Sequence, residues 1–273
     1  MTNANTSATI YRGPSLIDGQ PIVVVAVVSD RNRKTGAVVQ TYIMLEDIDP
    51  RDASKNGADY SICGECPMRG EVTTDPLRKQ AKNRACYVKL YQGVLITWRH
   101  YKAGGYRTAL GHDDIAAIGA GRVVRLGTYG DPAAVPSWLW DSLLADSTAH
   151  TAYSHQSGMP GADFRPDLYM VSADSEAQAR ATWSKGQRTF RVVKSVSDIV
   201  KGEEILCPAS KEAGARVQCT TCRLCGGASV KAKSIAIPDH GPLAKRDTSG
   251  FIVGIDKNVR PKSDLDLMFN ETE

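Results

Sequence analysis

All seven cysteines of this 273-residue chain fall in two groups, Cys63, Cys66 and Cys86, then Cys207, Cys219, Cys222 and Cys225. Buried structural thiols explain single cysteines but not a repeated two-residue spacing. The polar start, Met1 to Ile10, lacks the basic-then-apolar layout of a signal peptide. An odd number of thiols without an export signal argues against a disulfide framework. Metal ligation is the better account, so any fold must gather each group.

Ligand arithmetic suggests which metal. Structural zinc takes four closed tetrahedral ligands, usually as two separated pairs. Cys219-x2-Cys222-x2-Cys225, with Cys207 as a remote fourth thiol, instead follows the pattern of a [4Fe–4S] site. The first group offers only three thiols, which would leave one iron free to bind a small molecule. Zinc is the alternative metal, with Cys219, Cys222, Cys225 and His240 as a Cys3His set.

Periodicity predicts a single α/β domain over residues 20–254, between a flexible start (1–19) and a polar tail (255–273). Ile22–Ser29 and Ala37–Leu45 form the expected N-terminal hairpin around Lys34-Thr35-Gly36, and residues 46–86 are expected to be loop-rich. Strands are expected at Tyr87–Tyr91, Val94–His100, Arg122–Gly127, His150–His155, Leu168–Ala173, Thr189–Val193, Glu204–Cys207 and Ser234–Ile237. Helices are expected at Pro136–Ala145 and Ser175–Lys185. The later alternation implies βαβ units and a parallel sheet, closed as a partial or complete (β/α) barrel with cysteine-rich metal-cluster loops. Chemistry in such a fold sits at the carboxyl ends of the strands. Those ends carry Tyr129, Asp131, Tyr153, His155, Gln156, Asp174, Cys207, Ser210 and His240, with Arg191 inside its strand.

Charge and hydropathy set the partners. The net charge is only +4, yet residues 61–130 hold 11 basic and 5 acidic side chains, with Arg78, Lys79, Lys82 and Arg84 ahead of Cys86. Such a field suits an anionic substrate, a nucleotide or DNA. The longest apolar run, Ile22 to Val28, is far short of the roughly 20 residues that span a membrane. No membrane partner is expected, and the expected location is the cytoplasm.

Several segments carry a resemblance. They are Asn32 to Gly36, Ile62-Cys63-Gly64-Glu65-Cys66-Pro67, Ala85-Cys86-Tyr87, Arg125 to Ala134, Tyr153-Ser154-His155-Gln156, Cys207 to Gly214 and the Cys219–Cys225 run. Together they resemble a bacteriophage cysteine-rich family distantly similar to the phage "gene product 88" proteins, which implies action in the host cytoplasm during infection. More loosely, three cysteines ending in Cys-Tyr ahead of a βα barrel look like a radical S-adenosylmethionine (SAM) enzyme, although 19 residues separate Cys66 from Cys86. That likeness implies a cluster on Cys63, Cys66 and Cys86, an auxiliary cluster on the other four cysteines, bound SAM and an electron donor. Tyr87, Tyr129 and Ser210 would contact the cofactor. Asp131, His155, Asp174 and Arg191 would orient substrate or move protons. Two other readings stand beside it. One is a zinc-containing base-exchanging DNA transglycosylase using Asp131 and Asp174. The other is a non-catalytic, metal-stabilised nucleic-acid-binding protein.

Overall fold

The computed structural model describes residues 6–28, 36–215 and 217–239. In chain order the strands are β1 (Ala8–Pro14), β2 (Pro21–Val28), β3 (Val38–Leu45), β4 (Arg107–Thr108), β5 (Val123–Tyr129), β6 (Ala149–Thr151), β7 (Tyr153–Ser154), β8 (Met170–Ala173), β9 (Thr189–Val193), β10 (Glu204–Leu206) and β11 (Ser234–Pro238). The helices are α1 (Pro50–Asn56), α2 (Tyr60–Cys63), α3 (Leu95–Lys102), α4 (Gly111–Gly119), α5 (Ser137–Leu144), α6 (Glu176–Trp183) and α7 (Cys219–Cys222).

These strands make a mixed α/β architecture of two mostly parallel sheets. One has the order β4-β1-β2-β3-β5-β6 and the other β10-β11-β9-β8-β7. β2 pairs antiparallel with both β1 and β3, which gives the expected N-terminal hairpin; its turn residues 29–35 lie outside the described residues. From β3 onward every pairing between neighbouring strands is parallel. β6 belongs to one sheet and β7 to the other, with only Ala152 between them. No ladder among the described residues closes the sheets into a ring, so the barrel expected from the βα rhythm is not shown.

Burial follows the sequence pattern. Ile22 to Ala26 of β2 are fully buried, as are Ile43 and Met44 of β3 and Leu126 of β5, so the middle strands read as continuous apolar runs. A bulge between Gln40 and Tyr42 shifts the β3–β5 register, and Thr41 Oγ bridges it, donating to Arg125 O and accepting from Gly127 N. α4 and α5 pack closely. A Cβ on Gly119 would collide with the Leu143 carbonyl.

Several expectations need correction. Residues 8–14 form β1, because their short alternating pattern pairs with the strongly apolar β2. The segment 46–86 includes α1, with Asp49 as cap, Pro50 in the first turn and Gly57 at φ 85 closing it. Residues 87–100 are not two strands: a π-type turn at Leu90–Val94 runs into α3. Val94, Trp98 and Tyr101 recur at helical spacing. Trp98 Nε1 donates to Leu45 O, and Tyr101 Oη to Glu46, so tertiary anchoring overrides their strand propensity. α4 was also missed. The tail after residue 239, with His240, lies outside the described residues. No helix among the described residues is long and apolar enough to cross a membrane.

Gly119→Ala should destabilise the protein by about 2 kcal/mol, because the added methyl forces α4 and α5 apart. Thermal unfolding checks this, with Ala117→Gly as a comparison that removes bulk from the same helix.

Candidate functional site

The first cysteine group lies in the long connection from β3 to β5, at the carboxyl ends of the parallel strands. Cys63 ends α2, and the chain then turns through Gly64, at φ 50, to Cys66. A Cβ on Gly64 would strike the Gln156 amide, so only glycine allows this close approach. Arg69 braces the loop. Its Nε and Nη2 donate to Asp59 Oδ1 (2.9 and 2.7 Å), its Nη1 to Gly64 O and its Nη2 to Gly57 O. Cys86 returns to the same place because its N–H donates to Met68 O at 3.0 Å. Buried Arg84 donates to the carbonyls of Cys86 and Val88. Arg84 is therefore a brace, while Arg78, Lys79 and Lys82 remain exposed.

Asp131 ties this loop to the strand ends. Its Oδ1 accepts from Ala133 N (3.0 Å), and its Oδ2 accepts from His155 N (2.8 Å) and Gln156 Nε2 (3.1 Å). Gln156 Nε2 also donates to Cys63 O at 2.8 Å, and Gln156 Oε1 accepts from Glu65 N. Burial pushes the Asp131 carboxyl up from its usual range, opposed by the donors around it. With its oxygens so engaged, Asp131 positions its neighbours.

His155 Nε2 lies 4.0 Å from Cys66 Sγ and 3.2 Å from Asp174 Oδ1. Burial pulls the imidazole pKa down, but Cys66 and Asp174 outweigh it and hold it well above the ordinary value. One ring nitrogen faces both groups, so this is not a Cys–His–Asp relay, which needs the two ring nitrogens separately. Asp174 also lines a cavity of about 550 Å3 at the ends of β8, β9 and β11, with Arg180, Arg191, Lys194 and Asp239 among its walls. Asp131, His155 and Asp174 thus come together beside Cys66 as expected. Arg191, in register with Ala173 of β8, lines the same cavity, but its guanidinium is paired with Glu204 at 2.8 and 2.6 Å, both side chains buried. It is held as a structural ion pair.

The second group lies elsewhere. Cys207 follows β10, and Cys219 to Cys225 lie in the connection to β11. Cys225 O accepts from Ala152 N at 3.0 Å, in the gap between β6 and β7. Thr220 and Arg223 line a cavity of about 370 Å3 with Val38 and Val123, at the amino ends of β3 and β5. Burial first, and then the nearness of Cys207, Cys222 and Cys219, leave the Cys225 thiol pushed up to about 12, against the opposing pull of its hydrogen bond with Tyr153. Ser210 is buried and its Oγ accepts from Ala213 N, turning the chain after Cys207.

The donor set can be tested against a bound metal. Cys63 is raised by burial and then by Asp59, Cys66 and Cys86, and Cys86 by burial and Cys66. Thiols that raise one another's pKa stay protonated until a cation binds them. Tyr129, 4% exposed, places a hydroxyl without a hydrogen-bond partner among Cys63, Asp59 and Cys86. Metal-bound thiolates would accept that proton, so three thiols plus this donor fit a metal–thiolate centre. Among the described residues no three His, Cys, Asp or Glu side chains are gathered as a ready site for a single ion. Sequence reasoning missed Asp59, Arg69 and Arg125. Gln156, which clasps the cysteine loop, was signalled only by its place next to His155 at a strand end.

No protein-family model matches the chain, and neither a curated protein nor a solved structure matches it significantly.

Asp131→Asn should cost about 2 kcal/mol, because an amide donor would face the His155 and Gln156 donors. It should also speed modification of Cys63 and Cys66 by a thiol reagent in metal-free protein. Cys219→Ser should lower the melting temperature by more than ~5 °C relative to Cys63→Ser, because a four-thiolate site contributes folding energy. Parallel thermal melts of metal-replete protein check the pair.

Proposed function

We propose that the chain is an iron–sulfur enzyme resembling the radical SAM group, encoded by a phage and acting on a nucleotide or nucleic acid in the host cytoplasm. The observation that carries this reading is the contact of Cys66 with His155 and of His155 with Asp174, which also lines the strand-end cavity. A three-thiolate centre there would have its unfilled position near a space able to take a small molecule. Cys63, Cys66 and Cys86 would hold one cluster, and Cys207, Cys219, Cys222 and Cys225 the other. When bound, a reduced cluster of the first kind supplies one electron, received from a protein donor, for cleavage of SAM.

The chain's own residues have narrower tasks. Asp174 would orient a substrate donor group at the cavity wall, and His155 would hold Asp174 in place. Lys194 is a cationic group on that wall for a phosphate, and Arg180 would join it by exchanging its exposed ion pair with Glu176. Exposed Arg78, Lys79 and Lys82 would attract a polyanion. The engaged state of Asp131 speaks against the transglycosylase reading, which needs it as a free nucleophile or base. The nearness of Cys207 to Cys225 supports a four-cysteine set, and His240, the ligand of the zinc alternative, lies outside the described residues.

Protein purified without oxygen should be brown, with a broad band near ~400 nm and iron matched by acid-labile sulfide. Stoichiometric zinc with negligible iron would overturn the reading. With SAM and dithionite the wild type should form 5′-deoxyadenosine. Cys86→Ser should form none, and Asp174→Asn should retain most of the yield. An iron-replete wild type that forms none is not a radical SAM enzyme.

A further inference from the structure

β5 runs past both cysteine groups. Val124 and Leu126 turn into the apolar core; Arg125 pairs in register with Thr151, beside the Ala152 N–H that donates to Cys225 O, and Tyr129 ends the strand on the side of the first cysteine group. Arg125 and Tyr129 are four residues apart on β5, with side-chain-free Gly127 between them, and stand opposite Gln40 and Tyr42 of β3 because β5 bulges there. Tyr129 lies near Cys63 and Cys86. The electrostatic neighbours of Arg125 are Tyr87, Tyr153, Cys219 and Cys225, with no carboxylate among them.

The guanidinium of Arg125 is incompletely satisfied. Its Nη2 donates to Tyr87 Oη at 2.6 Å, while its Nε is buried without a hydrogen-bond partner. Tyr87 is itself the residue after Cys86, so this bond links the segment of the first group to the second. A second guanidinium, Arg188, also lies near Cys225. It is 8% exposed and held by the carbonyls of Gly227 (2.9 Å) and Lys233 (2.6 Å), again with an unpartnered Nε. Tyr153, stacked at a tilt on Phe190 with ring centroids 4.3 Å apart, completes the surround. A guanidinium whose buried Nε has no partner is costly unless an anion faces it, and both Arg125 and Arg188 carry such an atom. Cys225 lies next to both: its carbonyl accepts from Ala152 N, beside the Thr151 that pairs with Arg125, and it stands two residues before the Gly227 that holds Arg188. The thiolates of its group, once metal-bound, would supply that anion.

We propose that the four-cysteine group carries a net-negative metal–thiolate centre, balanced by Arg125 and Arg188, with Arg125 Nε donating to a metal-bound sulfur. Tyr129 Oη does the same for the three-cysteine centre. Each centre thus has its own donor from one strand. Arg125 and Tyr129 are positioning residues that set metal retention and, for iron, the reduction potential. This rests on the reading of the cysteines as metal ligands, but not on which metal they hold, because four thiolates around zinc are also anionic.

The test uses full-length protein prepared without oxygen, as wild type, Arg125→Met, Arg125→Lys and Tyr129→Phe. Each is also made with Cys63, Cys66 and Cys86 changed to serine, which isolates the four-cysteine centre. Metal and sulfide content are measured first, then the rate of metal loss to excess EDTA and, if iron is present, the midpoint potential by EPR-monitored titration. Arg125→Met should lose metal from the four-cysteine centre about 10-fold faster and shift its potential to more negative values. Arg125→Lys, which keeps the charge, should recover most of both. Tyr129→Phe should leave that centre unchanged and alter only the three-cysteine one. If Arg125→Met does not fold, Arg125→Gln takes its place in the comparison with lysine. Unchanged retention and potential in a metal-replete neutral variant would overturn the inference alone. A wild type whose cysteines retain neither iron nor zinc would overturn the metal reading, and this inference with it.

Discussion

The buried Asp131 carboxylate holds three otherwise separate segments together. It caps the turn after β5 through Ala133 N, fixes the chain after β7 through His155 N, and holds Gln156, whose amide clasps the Cys63 carbonyl and the Glu65 N–H. An ionised carboxylate in an apolar setting is costly unless its lone pairs are filled. Here the donors come from the turn after β5 and the end of β7, and Gln156 carries the tie on to the cysteine loop that must lie beside His155. The first cysteine loop, the turn after β5 and the end of β7 are thereby placed by one group. The neighbouring Arg69–Asp59 pair closes the loop from its other side.

Both cysteine groups pose the same physical problem. Neutral thiols in a dry interior are tolerable, but thiolates are not unless positive charge is supplied. The first group has Arg84 nearby and the Tyr129 hydroxyl pointing among its sulfurs. The second has Arg125 and Arg188. Of these, Arg125 and Tyr129 lie on β5 and Arg188 just before β9, so no cysteine-spacing rule identifies them. The two cysteine groups also differ in surroundings: the first adjoins the strand-end cavity through Asp174, whereas the second lies at the junction of the sheets, with Thr220 and Arg223 on the smaller cavity.

Much of the parallel architecture was legible. Thr189–Val193 matches β9 residue for residue, and β5, α5, α6 and β11 agree with their expected spans to within two or three residues, since runs of β-branched residues and capped amphipathic stretches carry strong local signals. The failures have local causes too. α3 was read as strand because Tyr, Val, Ile and Trp favour strands, and only its anchoring to Leu45 and Glu46 makes the helix win. α1 carried its Asp-Pro cap and closing glycine in plain view, but it is short and was absorbed into a loop.

Cysteine spacing, read along the chain, was enough to partition the seven thiols into three and four, and strand-end positions were enough to pick out Asp131, His155 and Asp174. Those are properties of short segments, set by local spacing and strand termination. Which of these residues is free to act was decided only by the tertiary structure. Arg191 is absorbed by Glu204 and Asp131 by three donors, while Asp174 keeps a face on the cavity. Arg125, chemically an ordinary strand residue, becomes the cation between two thiol groups because β5 passes both. Sequence lists the ionisable groups, but their roles depend on which partners burial leaves them, and burial is a property of the whole fold.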